Sequence, residues 1–142
     1  MPGDKAGLRR AAREAAMRIM YSMEFSGQTP ETAATDYWAA HKVGDAMRAY
    51  ATQILDGVAA RRAEIDALIN GASDNWPLAR MAAVDRNILR VAVYELLKCP
   101  DVPTAVAINE AVEIAKQYAA PETASFINGI LGKIEKEVRK ET

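Results

Sequence analysis

The 142-residue chain is half apolar, 26% charged and nearly neutral at −1, a composition that excludes disorder and supplies about one domain's worth of core. One cysteine, Cys99, and one histidine, His41, exclude an internal disulfide and a Cys/His zinc site. Alanine fills 28 positions against 6% aromatics, which favours helices over sheet. No window approaches the roughly 18 apolar residues of a membrane span, and Met1-Pro2-Gly3-Asp4-Lys5 has no apolar leader, so the expectation is a cytoplasmic protein. Charge is uneven: within the first twenty residues Lys5, Arg9, Arg10, Arg13 and Arg18 face only Asp4 and Glu14, so any site for a polyanion is local.

The first periodic segment runs from about Gly7 to Ser26, with Leu8, Ala12, Ala15, Ile19 and Met23 at helical spacing. Gly27 suits a C-cap and Pro30 cannot continue a helix, so Gly27-Gln28-Thr29-Pro30 stops it. A second helix is expected over roughly Glu31 to His41. From Asp45 the residues Met47, Tyr50, Ile54, Val58, Ile65, Leu68 and Ile69 read as one long helix closed by Asn70-Gly71, with Gly57 marking close packing or a bend.

Ala72-Ser73-Asp74-Asn75-Trp76-Pro77 is the strongest turn cluster, and it divides the chain into subdomains 1–73 and 74–142. Val84, Ile88, Val91 and Leu96 form the next stripe, ended by Cys99-Pro100-Asp101-Val102-Pro103. Thr104 to Ala119 follows, with Val106, Ile108, Val112 and Ile114 apolar and Glu110, Glu113 and Lys116 outward. Pro121 restarts the chain as a first helical residue, and Phe126, Ile127, Ile130, Leu131 and Ile134 precede a solvated charged tail. The expected fold is all-α: two packed helical bundles, six or seven helices in total, and no sheet.

A search for catalysis returns little. There is no phosphate loop, dinucleotide fingerprint or nucleophile elbow, and His41 and Cys99 read as a helix-end histidine and a buried thiol. Glu110 and Glu113 have a spacing that solvated helix faces produce constantly. The first helix carries the positive signal. On a helical wheel the apolar stripe leaves Arg9, Arg10, Arg13 and Tyr21 together on one flank. Guanidiniums bridge phosphate oxygens and an exposed phenol ring stacks on an unpaired base, the means by which single-stranded RNA is gripped. The competing reading is a solvated basic flank, with Tyr21 packed against a neighbouring helix and Arg13 paired to an acid. If the flank is exposed, replacing its three arginines with Ala leaves thermal stability nearly unchanged.

Four blocks carry a family resemblance: Arg9 to Ala16 continuing to Tyr21, Val84 to Leu96, Val106 to Lys116, and Phe126-Ile127-Asn128-Gly129-Ile130-Leu131. In this order, over most of the chain, they resemble the NusB transcription antitermination family. The resemblance implies a non-enzymatic helical protein without cofactor or metal. The resemblance further implies binding of boxA-type single-stranded RNA jointly with the ribosomal protein NusE in the transcription elongation complex on ribosomal RNA. It places the arginine-rich RNA-binding motif on Arg9, Arg10 and Arg13 and the RNA-contacting aromatics on Tyr21 and Phe126. Ala11, Arg18 and Ser125 depart from residues common in the family, so RNA affinity is distributed differently here. In some members a homodimer masks the arginine flank.

The blocks also admit structural explanations. Asn128-Gly129 serves as the backbone requirement of closely packed helices, Asn109-Glu110 fixes a helix start through local hydrogen bonds, and Phe126, among apolar neighbours, is buried by default. A helical scaffold that dimerises through an apolar face without touching RNA is the alternative function. An RNA methyltransferase module, whose N-terminal part is similar in some enzymes, is excluded by length and by the missing glycine-rich turn.

Overall fold

The computed structural model of the protein describes residues 5–74 and 76–139, so Met1 to Asp4, Asn75 and Lys140 to Thr142 lie outside the described residues. These residues form seven α-helices and a short 3-10 turn, with no strand among them: α1 Lys5–Ser26, α2 Pro30–Ala40, α3 Asp45–Ala60, α4 Arg62–Ala72, the 3-10 turn Leu78–Arg80, α5 Ala83–Lys98, α6 Thr104–Tyr118 and α7 Thr123–Val138. The all-helical expectation holds. No helix among the described residues is long and apolar enough to cross a membrane.

The helices pack as two compact units, one ending at Ala60 and the other beginning at Arg61. The first consists of α1 packed on α3 with α2 against both, around Ala12, Ala16, Ile19, Ala51, Ile54 and Val58. Gly27, at φ +73°, closes α1 and donates its N–H to the Met23 carbonyl at 3.0 Å, a left-handed position that only glycine adopts without penalty. Thr29 then caps α2, its hydroxyl accepting from the Thr32 N–H at 3.2 Å, with Pro30 opening the helix.

The second unit packs α7 against α6, α5 and α4 around Ile65, Ile69, Ile88, Leu89, Ile127, Leu131 and Ile134. The apolar face of α6 differs from the sequence expectation. Ala107, Ala111, Ile114 and Ala115 are buried, whereas Val106 is exposed. Three alanines and Ile114 make the buried face, while Val106, Ile108 and Val112 lie at its edge.

Two boundaries differ from the sequence reading. The stretch expected as one helix breaks at Arg61, whose φ and ψ of −120° and 25° leave the helical region. Ile54 and Val58 serve the first core while Ile65 and Ile69 serve the second, and one continuous stripe hides that division because neither Gly nor Pro marks it. The compact units therefore meet in the chain at 60/61 rather than at 73/74, and α4 packs with α5 and α7. Pro121 likewise sits in a turn before α7, which begins at Thr123.

Buried polar groups hold the second unit. The Arg90 guanidinium donates to both Asp66 oxygens at 2.9 and 3.1 Å and to Asn87 Oδ1 at 3.0 Å, tying α5 to α4. Arg139, expected in a solvated tail, instead turns inward. It donates to the carbonyls of Glu95, Leu96, Cys99 and Val102 at 2.7–3.0 Å, placing a cation at the negative end of α5 and the turn after it.

Candidate nucleic-acid interface

On a wheel of about 100° per residue starting at Leu8, the buried residues of α1 extend from Ala15 near 340° through Ile19, Ala12, Ala16, Met20 and Arg13 to Met17 near 180°. The buried arc is wider than the apolar stripe suggests, since alanines and methionines fill it on both sides. What remains outside is a narrower face on which Arg10, Arg18, Tyr21 and Phe25 are all exposed.

The five residues singled out by sequence therefore divide. Arg10 and Tyr21 stand on the exposed face. Arg9 is half-buried, its guanidinium 4.6 Å from the centre of the buried Tyr50 ring on α3, a cation–π contact that fixes its position. Arg13 is only 3% exposed, which corrects its placement on a solvated flank. No buried side-chain nitrogen or oxygen among the described residues lacks a hydrogen-bond partner, so this guanidinium is engaged within the fold. The thermal neutrality expected of the triple arginine variant falls with it.

Phe126 belongs to the second unit. It is half-buried at the start of α7 and, with Trp76, Asp85, Glu122 and Thr123, lines an open groove of about 360 Å³. Ile127, Ile130 and Leu131 beside it are buried, so the helix turns one flank inward and sets Phe126 at the rim. Burial raises the Asp85 carboxyl above its ordinary range, with Arg86 acting in the opposite direction.

Sequence reasoning missed Arg18 and Phe25 as surface elements of α1. Their spacing from Arg10 and Tyr21 at i+8 and i+4 was the available signal, obscured because Phe25 is apolar and was free to be read as core. His41 ends α2, its ring stacked 4.0 Å from Tyr37 and its Nδ1 3.0 Å from the Tyr37 carbonyl oxygen. Cys99 is buried. No three His, Cys, Asp or Glu side chains among the described residues gather as a metal site. Asn128 and Gly129 are exposed, and a Cβ on Gly129 meets nothing within 4 Å, so helix packing does not require glycine there. Asn109 lies within α6, past its start at Thr104.

The NusB family profile matches residues 10–136. The transcription antitermination protein NusB of Sorangium cellulosum is 41% identical over 128 residues, 90% of this chain and 91% of that one. Among solved structures, NusB of T. maritima superposes with a TM-score of 0.85 at 35% identity, covering 91% of each chain. A complex of the antitermination factors NusB and NusE with double-stranded RNA contains a chain similar at TM-score 0.81 and 26% identity, over 92% of this chain and 97% of that one. This chain belongs to the NusB family.

Proposed function

We propose that this NusB-family chain is a cytoplasmic, non-enzymatic RNA-binding factor of transcription antitermination. It binds boxA-type single-stranded RNA together with the ribosomal protein NusE in the elongation complex on ribosomal RNA. The observation that carries the reading is the exposed face of α1, which presents both a guanidinium, Arg10, and a phenol ring, Tyr21, to solvent. Arg10 and the ring-supported Arg9 meet phosphate oxygens, and Tyr21 stacks on an unpaired base. Phe126 offers a second ring in its groove. The carboxylates of Asp85 and Glu122 repel phosphate, so a base rather than backbone enters there. Arg13 acts within the fold. The relative solved with NusE and double-stranded RNA supports NusE and RNA as the classes of partner.

Fluorescence anisotropy with a boxA-type RNA and a scrambled one, each with and without NusE, tests this reading. The expected result is preference for the boxA-type RNA, strengthened by NusE. Equal binding of both RNAs, or none, overturns it. Gel filtration with and without RNA separates it from a dimerising scaffold, which would elute unchanged.

A further inference from the structure

We propose that the RNA track continues past Tyr21 along the exposed face of α1 to a second stacking platform, Phe25, with Arg18 gripping the phosphate beside it. This rests on the reading of the chain as an RNA binder and adds a subsite to it.

Phe25 is 71% exposed in the last turn of α1, and Tyr21, four residues earlier, is 41% exposed. Their ring centroids lie 5.0 Å apart at an interplanar angle of 57°. The rings meet tilted, so neither is hidden behind the other. Burial therefore does not account for Phe25, and its large apolar surface remains in water.

Charge on the same face argues for the occupant. On the wheel, Arg10, Tyr21, Phe25 and Arg18 fall within an arc of about 80° that also holds the half-buried Glu14, and Arg10 to Phe25 spans about 22 Å of helix. The Arg18 guanidinium sits 5.6 Å from the centre of the Tyr37 ring on α2, and Tyr37 is itself stacked on His41. Arg18 is thus oriented by a ring and pairs with no carboxylate among the described residues. Glu14 on this face and Glu24 beside it each already have a partner in the protein, so neither adds an unbalanced negative charge. An apolar protein partner covering Phe25 would have to strip water from Arg18 without compensation. A nucleotide supplies both complements, a flat base for the ring and a phosphate for the guanidinium.

Every base has a π-face, so this subsite lengthens the RNA footprint without adding sequence preference. The test measures anisotropy for the full chain with a boxA-type RNA and with the same RNA extended by several uridines at either end. Phe25→Ala and Phe25→Leu are each expected to lose at least about fivefold in affinity for the extended RNA, while binding the short one as the parent does. Arg18→Gln is expected to lower the log–log salt slope on the extended RNA by about 0.7. Melting temperatures of these variants should match the parent's. If Arg10→Ala and Tyr21→Ala weaken binding while Phe25→Ala and Arg18→Gln bind the extended RNA normally, the second subsite is refuted and the RNA reading stands. Retention of affinity by Phe25→Leu alone would mean a merely apolar contact and also overturn the subsite. A parent protein that binds neither RNA refutes the underlying reading instead.

Discussion

Arg10 and Arg13 lie one helical turn apart in an arginine-rich run, yet the structure assigns them opposite consequences on substitution. Arg13 is 3% exposed and its buried nitrogens are satisfied. Arg13→Ala removes a hydrogen-bonded cation and strands its partner, which costs about 1–3 kcal/mol, and it also discards the packing of the aliphatic stem. A total of roughly 2–3 kcal/mol corresponds to a fall in melting temperature of about 8–12 °C for a chain of this size. Arg10 is exposed, so Arg10→Ala should move the melting temperature by no more than about 2 °C. Its cost appears in RNA binding, where one lost phosphate contact lowers the log–log salt slope by about 0.7. Circular dichroism melts at 222 nm read the first effect, and anisotropy across a salt series reads the second. For Arg13→Ala at a temperature where it is folded, the slope should equal the parent's. If Arg13→Ala melts like the parent and flattens the slope, its guanidinium reaches RNA and the burial argument is wrong.

Other consequences follow from single side chains. Gly129 and Gly132 lie within α7 with nothing within 4 Å of an added Cβ, so Gly129→Ala and Gly132→Ala should each raise stability by about 0.4–1 kcal/mol in urea titrations; a loss would reveal a contact that needs the bare backbone. Arg139→Ala leaves the carbonyls of Glu95, Leu96 and Cys99 without their cationic donor and should cost about 2–3 kcal/mol, with Arg139→Lys recovering only part because ammonium lacks the planar fork. The Asp85 carboxyl, raised above its ordinary 3.8 by burial, binds its proton more tightly in the folded chain than in the unfolded one. Its stabilising contribution is complete below 3.8 and is lost as pH rises through the folded value. Relative to Asp85→Asn, the parent's melting temperature should therefore decline over that window, and parallel pH curves would contradict the assignment.

Most helices could be read from apolar spacing because strong punctuation bounds them. Gly27 and Pro30 end α1 and open α2, and the two prolines after Cys99 separate α5 from α6. Where punctuation is absent, the reading failed. Ala59-Ala60-Arg61-Arg62 contains no breaker, and α3 separates from α4 there because the residues on either side are claimed by different cores, a long-range cause that local propensity does not encode. Pro121 shows the converse: a residue suited to a first helical turn sits just ahead of one. Arg139 looked like tail because charge at a chain end reads as solvated, whereas its five donors match four carbonyls and the Thr104 hydroxyl contributed from far back in the sequence.

The exposed face of α1 proposed to meet RNA was visible in outline, and the way it was misplaced is informative. Sorting residues into apolar and charged centres the buried arc on Leu8, Ala12, Ala15, Ile19 and Met23, but Leu8 and Met23 are only half-buried while Ala16, Met17 and Met20 are fully inside. That rotation carries Arg13 into the core and brings Arg18 and Phe25 onto the exposed side. Binary patterning cannot detect it, because a long cationic stem packs well once its head is bonded and an aromatic ring left in water looks like a core residue. A buried arginine and an exposed phenylalanine both fall on α1, the helix whose arginine flank we propose for RNA, although Arg90 on α5 is buried as well. Function can override local hydropathy at a surface that must meet a ligand; on the proposed reading, the turn carrying Tyr21 and Phe25 is where binding and a dry core make opposite demands.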